Sequence, residues 1–171
     1  MKTVALQQVS SEFARKNAGR TLDKSIAIRF IERYLQPSLK DELNTACPDG
    51  NVFIWGAKLE RSHQTYKMLG KNSLFLFRQG RSIYQYGVLI EKTINEELAE
   101  KLWGLDEDGE SWANVFFFSR ITNTSASASK INAALKRSDK YNWQGLVVLT
   151  LPETEMLDDF FKAQLKASGM I

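Results

Sequence analysis

The sequence predicts an α+β fold, in which a small curled mixed β-sheet or barrel carries surrounding helices and an N-terminal helical extension. Three observations lead to this fold class. From residue 51 onward, short apolar segments bounded by turn residues alternate with segments of helical spacing. Gly87 lies in the middle of one apolar segment, as is typical of the bulges that let a barrel curve. The length of 171 residues suits one domain, and a hydrophobic content of 43% is sufficient for a core.

The N-terminal extension, residues 1–47, is predicted to be helical between residues 10 and 46. Ser10 or Ser11 can cap a first helix, because a serine oxygen accepts from the free N–H groups of a first turn. Pro37 fits either an interruption or the start of the next helix. No aromatic cluster or catalytic motif lies in this segment, so we expect it to pack against the barrel or to link it to another unit.

A turn signal at residues 48–50 marks the start of the predicted barrel domain, residues 48–171. Apolar segments predict strands at residues 51–55, 73–77, 82–92, 113–121 and 143–151, with Gly80 at the tip of a hairpin. Helical spacing predicts helices at residues 62–69 (capped by Ser62), 95–104 (capped by Asn95), 130–141 and 153–167. Small polar residues predict a mobile loop at 122–129.

Charge is unevenly distributed, although the net charge is only +3. Residues 56–82 carry a net charge of +5 and residues 120–141 one of +4, whereas residues 91–110 carry −6. Such a polarised surface steers charged partners better than the net charge suggests.

The composition also limits the chemistry. One cysteine, Cys47, and one histidine, His63, exclude an internal disulfide and a Cys/His zinc site, and we expect neither metal nor cofactor. No GxSxG segment and no phosphate-binding glycine loop occurs, so we expect no enzymatic activity in this chain. Because no signal-peptide pattern or membrane-spanning apolar run is present, we expect a cytoplasmic protein.

Tryptophans at the ends of predicted elements are the main candidate site. Trp143 begins the last strand and is predicted to lie in the core, whereas Trp55, Trp103 and Trp112 lie beside glycine or polar residues. Three rings at one mouth would form a box that stacks on a flat or cationic group. The alternative, that all four tryptophans are core anchors, stays open at this point.

Polar neighbours would give such a box its selectivity. Ser62 and Asn114 are placed to read the edge of a base, and His63 is either a further contact or an ordinary surface residue. Cations from both basic segments are predicted to contact phosphates on either side of a flipped-out base, with scattered surface charge as the alternative. They are Lys58, Arg61, Lys67, Lys71, Arg78, Arg81, Arg120 and Lys130.

Residues 51–122 resemble the PUA-like superfamily and, within it, the YTH and EVE domains. The resemblance lies in the order of the segments NVFIWG, RSHQTYKM, SLFLFRQGRSIYQYGVLIEK and LWG, and of the strand that opens with SW. It implies a reader that holds a flipped, methylated base in an aromatic cage, here Trp55, Trp103 and Trp112. Similar prokaryotic domains read DNA in modification-dependent restriction systems, fused to a nucleotide-driven motor or nuclease. It also implies DNA rather than RNA as the partner.

The leading hypothesis is therefore a binding module for a modified base, with any nuclease or NTPase on another domain or partner. The alternative is a scaffold that binds a protein or a small ligand. A third interpretation is an enzyme acting on RNA or a nucleotide, as in the ASCH relatives of the superfamily. A phosphate-contacting reader should lose affinity steeply as salt rises, and a scaffold should not.

Overall fold

A computed structural model of the protein describes residues 3–167, apart from the side chains of residues 60–62, 160 and 162–167. The described strands are β1 (Val4–Gln8), β2 (Ile26–Ala27), β3 (Asn51–Ala57), β4 (Leu74–Gln79), β5 (Ser82–Ile94), β6 (Asn114–Ser127) and β7 (Leu146–Val148). The described helices are α1 (Glu12–Thr21), α2 (Pro37–Ala46), α3 (Leu59–Met68), α4 (Glu96–Trp103), α5 (Ala128–Ala134) and α6 (Leu151–Ala167), with short 3₁₀ turns between β2 and α2.

The strands form one mixed sheet in the order β2-β3-β6-β5-β4-β1-β7. β1 runs parallel to β4, with Ala5 opposite Phe75, and the other neighbouring strands are antiparallel. β5 and β6 are long strands whose pairing shifts register at three places, one of them between Gly87 and Leu89. Such irregularities bend a sheet, so they account for its curvature.

Side chains of alternate residues along a strand go to opposite faces, and both faces of this sheet are buried. One face holds an aromatic cluster that includes Trp55, Phe75 and Phe116, closed off by α1. The neighbouring residues on the same strands point the other way. Val115 and Phe117 pack beneath α2 and α4, and a third cluster around Trp143 lies beneath α5 and α6. The mixed α+β architecture predicted from the sequence is confirmed.

Several local predictions are also confirmed. The Ser11 hydroxyl accepts from Ala14 N–H at the start of α1, and Asn95 caps α4 by accepting from Leu98 N–H. Gly80 has a φ of 59° at the hairpin tip, a left-handed conformation that favours glycine. Trp143 is fully buried in the core.

The N-terminal helical extension needs correction. Residues 4–8 form β1, which lies inside the sheet between β4 and β7, so the first 47 residues are not a purely helical appendage. The parallel partner of β1 is about 70 residues away along the chain, and a local pattern carries no information about such a pairing.

Two further predictions are wrong. Most of the predicted mobile loop at 122–129 is the second half of β6. These small polar residues are typical of loops, but their backbone pairs with β5 and so forms a strand. Ser62 does not cap α3, because that helix begins at Leu59 with Lys58 at the capping position. Among residues 3–167, no helix is long and apolar enough to cross a membrane.

Candidate nucleic-acid interface

A cavity of about 500 Å³ opens where β1 and β3 end. Its walls come from the turn into α1, from the end of β3 and from the segment before β7, and its lining residues include Gln7, Gln8, Ser10, Ser11, Lys58, Trp112, Gln144 and Gly145. β1 and β3 are separated by three strands in the sheet order, so only the curvature of the sheet brings their ends to one cavity. The volume falls within the range of about 300–1,000 Å³ typical of small-ligand sites.

Trp112 is the aromatic wall of this cavity, and it is half-buried. Its ring makes edge contacts with Phe13 at 5.2 Å and with Trp55 at 5.4 Å between ring centroids. Trp103 lies 6.5 Å away in a tilted arrangement. Three neighbouring rings thus hold the indole in place, which gives a ligand a fixed aromatic surface.

Buried polar atoms without a described partner lie in or next to the cavity wall. Gln7 is 6% exposed; its Nε2 donates to Gln8 O, but its Oε1 accepts no hydrogen bond from the described residues. The indole N–H groups of Trp55 and Trp112 likewise donate to none of the described side chains or backbone groups. Buried polar atoms are normally paired, so unpaired groups this close to the cavity are unusual.

Lys58 forms the other side of the cavity and is surrounded by acids of the loop between α4 and β6. Its Nζ lies 2.6 Å from Asp106, 2.6 Å from Asp108 and 2.8 Å from Glu110. We refer to residues 104–113 as the acidic loop. The three carboxylates are close enough together to hold a metal ion, but here the ammonium of the chain itself lies among them.

The protonation states follow from this arrangement. Burial of the Lys58 ammonium disfavours its charged form, but its hydrogen bonds to the three carboxylates outweigh this effect and raise its pKa. Burial likewise acts to raise the pKa of Asp106. The hydrogen bonds that it accepts from Lys58 and from the N–H groups of Glu110 and Asp108 outweigh burial, so its pKa is lowered. Both groups therefore stay charged at neutral pH.

Comparison with known structures identifies the architecture. The N-terminal domain of McrB from Thermococcus gammatolerans, in a structure bound to m5C DNA, superimposes with a TM-score of 0.69 at 16% sequence identity. The match covers 96% of this chain and 99% of that chain. The chain has a PUA-like fold. The sequence itself matches no protein-family model and no curated protein.

In this PUA-like fold, the three tryptophans predicted to form the cage lie close together but in different environments. Trp112 reaches the cavity, whereas Trp55 is fully buried and Trp103 is 3% exposed. Trp103 is committed to the interior, because its Nε1 donates to Thr21 Oγ1 over 3.0 Å. The three rings thus form one cluster, in which Trp112 lies at the cavity wall.

The predicted edge-reading residues are placed apart from one another. Asn114 is fully buried, and its Nδ2 donates to Lys58 O over 3.2 Å. His63 is exposed on α3 and does not line the cavity. The Ser62 side chain lies outside the described residues. Their assignment to a base therefore stays a prediction.

The predicted backbone-binding cations fall into three groups. Lys58 is paired with carboxylates, and Arg78 is 7% exposed, donating to Gly80 O over 2.8 Å and to Tyr141 O over 2.9 Å. Arg78 therefore ties the hairpin to the segment before β7. The Arg61 side chain lies outside the described residues. The rest are exposed: Lys67, Lys71, which pairs with Glu42 at 3.4 Å, Arg81, Arg120 and Lys130.

The sequence analysis missed the polar half of the cavity. Gln7, Gln8 and Gln144 line it. The first two end β1, a strand that was not predicted, and Gln144 lies just before the short strand β7. A polar pair directly after the apolar run VAL was the available signal. It becomes informative only once that run is known to be a central strand.

Proposed function

We propose that this chain binds DNA that carries a modified base, with the flipped-out base received in the cavity beside Trp112. The observation that carries the proposal is the combination, in one cavity, of a fixed indole with three amide residues, Gln7, Gln8 and Gln144. A flat ring can stack on the indole, and amide groups can donate to and accept from the polar edge of a base.

The likeness of fold points in the same direction. The McrB domain of the same fold was determined bound to m5C DNA, so this architecture holds methylated DNA in at least one protein. We extend that partner to the present chain as a proposal. Methylation of cytosine adds an apolar group, which gains contact in an aromatic-walled cavity.

Exposed cations supply the sequence-independent part of binding in this proposal. Arg81, Arg120 and Lys130 on the β5–β6 side and Lys67 on α3 are exposed. Neutralising phosphates releases counterions, which makes affinity depend steeply on salt. The base is then extracted from the stack, which costs a few kcal/mol and must be balanced by the pocket.

The test is direct binding to matched duplexes that contain m5C or C, and to a second pair that contains N6-methyladenine or adenine, at one fixed salt concentration. We expect one modified duplex to bind more tightly than its unmodified partner. We expect Trp112→Ala to weaken that complex by about 5- to 150-fold, the equivalent of losing one stacked aromatic. Equal affinity for modified and unmodified duplexes in both pairs would overturn the proposal.

We further propose that the chain has no catalytic role of its own, and that any nuclease or nucleotide-driven motor belongs to a fused domain or partner. This rests on the sequence analysis, which gives no nucleophile or acid/base constellation, and on a likeness to a DNA-bound domain. Cytoplasmic location is likewise a proposal from the sequence. Incubation of the chain with modified DNA and Mg²⁺ should leave the DNA uncut.

A further inference from the structure

The chain ties Lys58 to both ends of the segment that carries Trp112. Before Trp112, the Lys58 ammonium contacts Asp106, Asp108 and Glu110 of the acidic loop. After it, the Lys58 carbonyl accepts from Asn114 Nδ2 over 3.2 Å. Lys58, directly after β3, therefore contacts the chain on both sides of Trp112, the aromatic wall of the cavity.

The acidic loop is itself a folded turn, so its attachment to Lys58 fixes more than the carboxylates. Asp106 Oδ1 accepts from the N–H groups of Asp108 at 2.9 Å and Glu110 at 3.1 Å, and Asp106 N–H donates to Glu110 O at 3.0 Å. Gly109 completes the turn with a φ of 76°. Trp112 follows two residues after Glu110, so the position of this turn limits where the indole can lie.

The charge balance argues against a phosphate contact for Lys58. One ammonium and three carboxylates give the group a net charge of −2, and the Lys58 side chain is only 17% exposed. A phosphate would have to displace carboxylates from the lysine while approaching two excess negative charges. Like charges repel, so a phosphate is a poor occupant of this position.

We propose that Lys58 is a positioning residue that fixes the acidic loop and thereby holds Trp112 at the cavity wall. The consequence for base selectivity rests on the function proposed above, but the position of the ring does not. Lys58 then determines how well a modified base is distinguished from an unmodified one. It contributes little to the sequence-independent attraction of the backbone.

Fluorescence quenching by acrylamide tests the position of the ring without DNA. Lys58→Met keeps most of the apolar length and removes the charge, so we expect the quenching constant to rise in an otherwise folded protein. In a Trp112→Phe background, the same substitution should leave quenching unchanged, because the reporting ring is absent. No rise in quenching in the Lys58→Met protein would overturn the proposal whether or not the chain binds DNA.

A second variant avoids the loss of a partly buried lysine. Glu110→Lys changes a carboxylate that is 42% exposed, and it places a positive charge against Lys58. We expect it to raise quenching as well. It should tighten binding to unmodified DNA, because a negative charge at the cavity is replaced by a positive one, while the ratio of affinities for modified and unmodified duplexes falls. A raised quenching with an unchanged ratio would overturn the link between ring position and selectivity.

Binding measurements distinguish a Lys58 that positions Trp112 from a Lys58 that contacts a phosphate. If Lys58 positions Trp112, Lys58→Met should lower the modified-to-unmodified affinity ratio by about 5-fold or more, as stacking is lost. Lys67→Met is the matched control on an exposed lysine: it should weaken both duplexes equally and reduce the salt slope by about 1. Lys58→Arg, which keeps the charge, should retain the ratio. Equal weakening of both duplexes with a lower salt slope in Lys58→Met would make Lys58 a phosphate contact instead.

Discussion

Gly56 lies so close to Trp103 that a β-carbon on residue 56 would stand 2.4 Å from Cζ3 of the indole. The same β-carbon would stand 2.9 Å from the carbonyl oxygen of Trp112. Real β-carbons essentially never approach so closely, so β3 and the ends of the acidic loop can meet only with glycine at this position. The close approach also places Trp103, directly before the acidic loop, and Trp112, near the end of that loop, against one strand.

Gly56→Ala should therefore destabilise the protein. Trp103 is buried and bonded to Thr21, so it cannot move aside freely, and overpacking of this kind costs about 1–3 kcal/mol. Urea denaturation measures the change in the free energy of unfolding. Gly70→Ala is the control, because nothing lies within 4 Å of its added β-carbon. A destabilisation by Gly70→Ala as large as that by Gly56→Ala would contradict this explanation.

Thr21→Val should destabilise the junction between α1, β3 and α4. The Thr21 hydroxyl donates to Ile54 O at 2.8 Å and accepts from the Trp103 indole at 3.0 Å, and both partners are buried. Valine has a similar shape but leaves a buried donor and acceptor unpaired, a loss of about 1–3 kcal/mol in the free energy of unfolding. Thr45→Val removes an exposed hydroxyl from α2 and should change stability by about 0.5 kcal/mol or less. Similar thermal melts for the two variants would show that the Thr21 hydroxyl adds nothing.

Arg78→Met should reduce stability and leave the salt dependence of DNA binding unaltered. The guanidinium is buried, and two carbonyl oxygens, on Gly80 and Tyr141, would lose their donor. The loss should be about 1–3 kcal/mol, measured by denaturation at fixed pH. Arg81→Met, three residues further along and exposed, should show the reverse: little change in stability and a salt slope lower by about 1. A reduced salt slope in Arg78→Met would instead assign that side chain to the DNA.

The ion pairs of Asp106 predict a dependence on acid. Its folded pKa is lowered, so the stability contributed by the ionised carboxylate is present above the ordinary pKa of about 3.9 and is lost as pH falls through the folded value. We expect Asp106→Asn to unfold more easily than the unsubstituted protein at pH 7, with the difference shrinking below about pH 4. Chemical denaturation at both pH values gives the two free energies.

Glu107→Gln is the control for this pH effect. Glu107 is exposed in the same loop and forms no ion pair with the described residues, so its substitution should leave stability unchanged at either pH. A stability difference for Asp106→Asn that persisted in acid would point to a role of the side chain other than its charge.

The sequence was sufficient to predict structural features that are determined by residues close together along the chain. Ser11 and Asn95 cap the helices that follow them, and Gly80 forms the hairpin tip. β1 could not be predicted in this way, because five residues gain their strand conformation from partners in β4 and β7. The second half of β6 shows the same effect: its polar residues pair with β5 in spite of their composition.

The sequence predicted which types of residue gather at the candidate site, but not how deeply each one is buried. Trp55, Trp103 and Trp112 share a neighbourhood, yet only packing decides which indole reaches a surface. Lys58 and Arg78 illustrate the same limit for charge. A basic residue in the sequence does not reveal that its partners lie on a loop 50 residues away, or that it donates to two backbone carbonyls. Such assignments depend on tertiary contacts.

The position of β1 between β4 and β7 also has a consequence for how the chain folds. The first strand to be made has its partners at residues 74–78 and 146–148, so the sheet cannot be completed until most of the chain is available. Closing loops of that length before any pairing is gained slows folding, and it makes formation of the cavity a late event. Since Gln7 and Gln8 end this strand, the polar wall of the cavity should form together with the whole sheet. We therefore expect amide protection in β1 and in β7 to appear in the same kinetic phase of refolding.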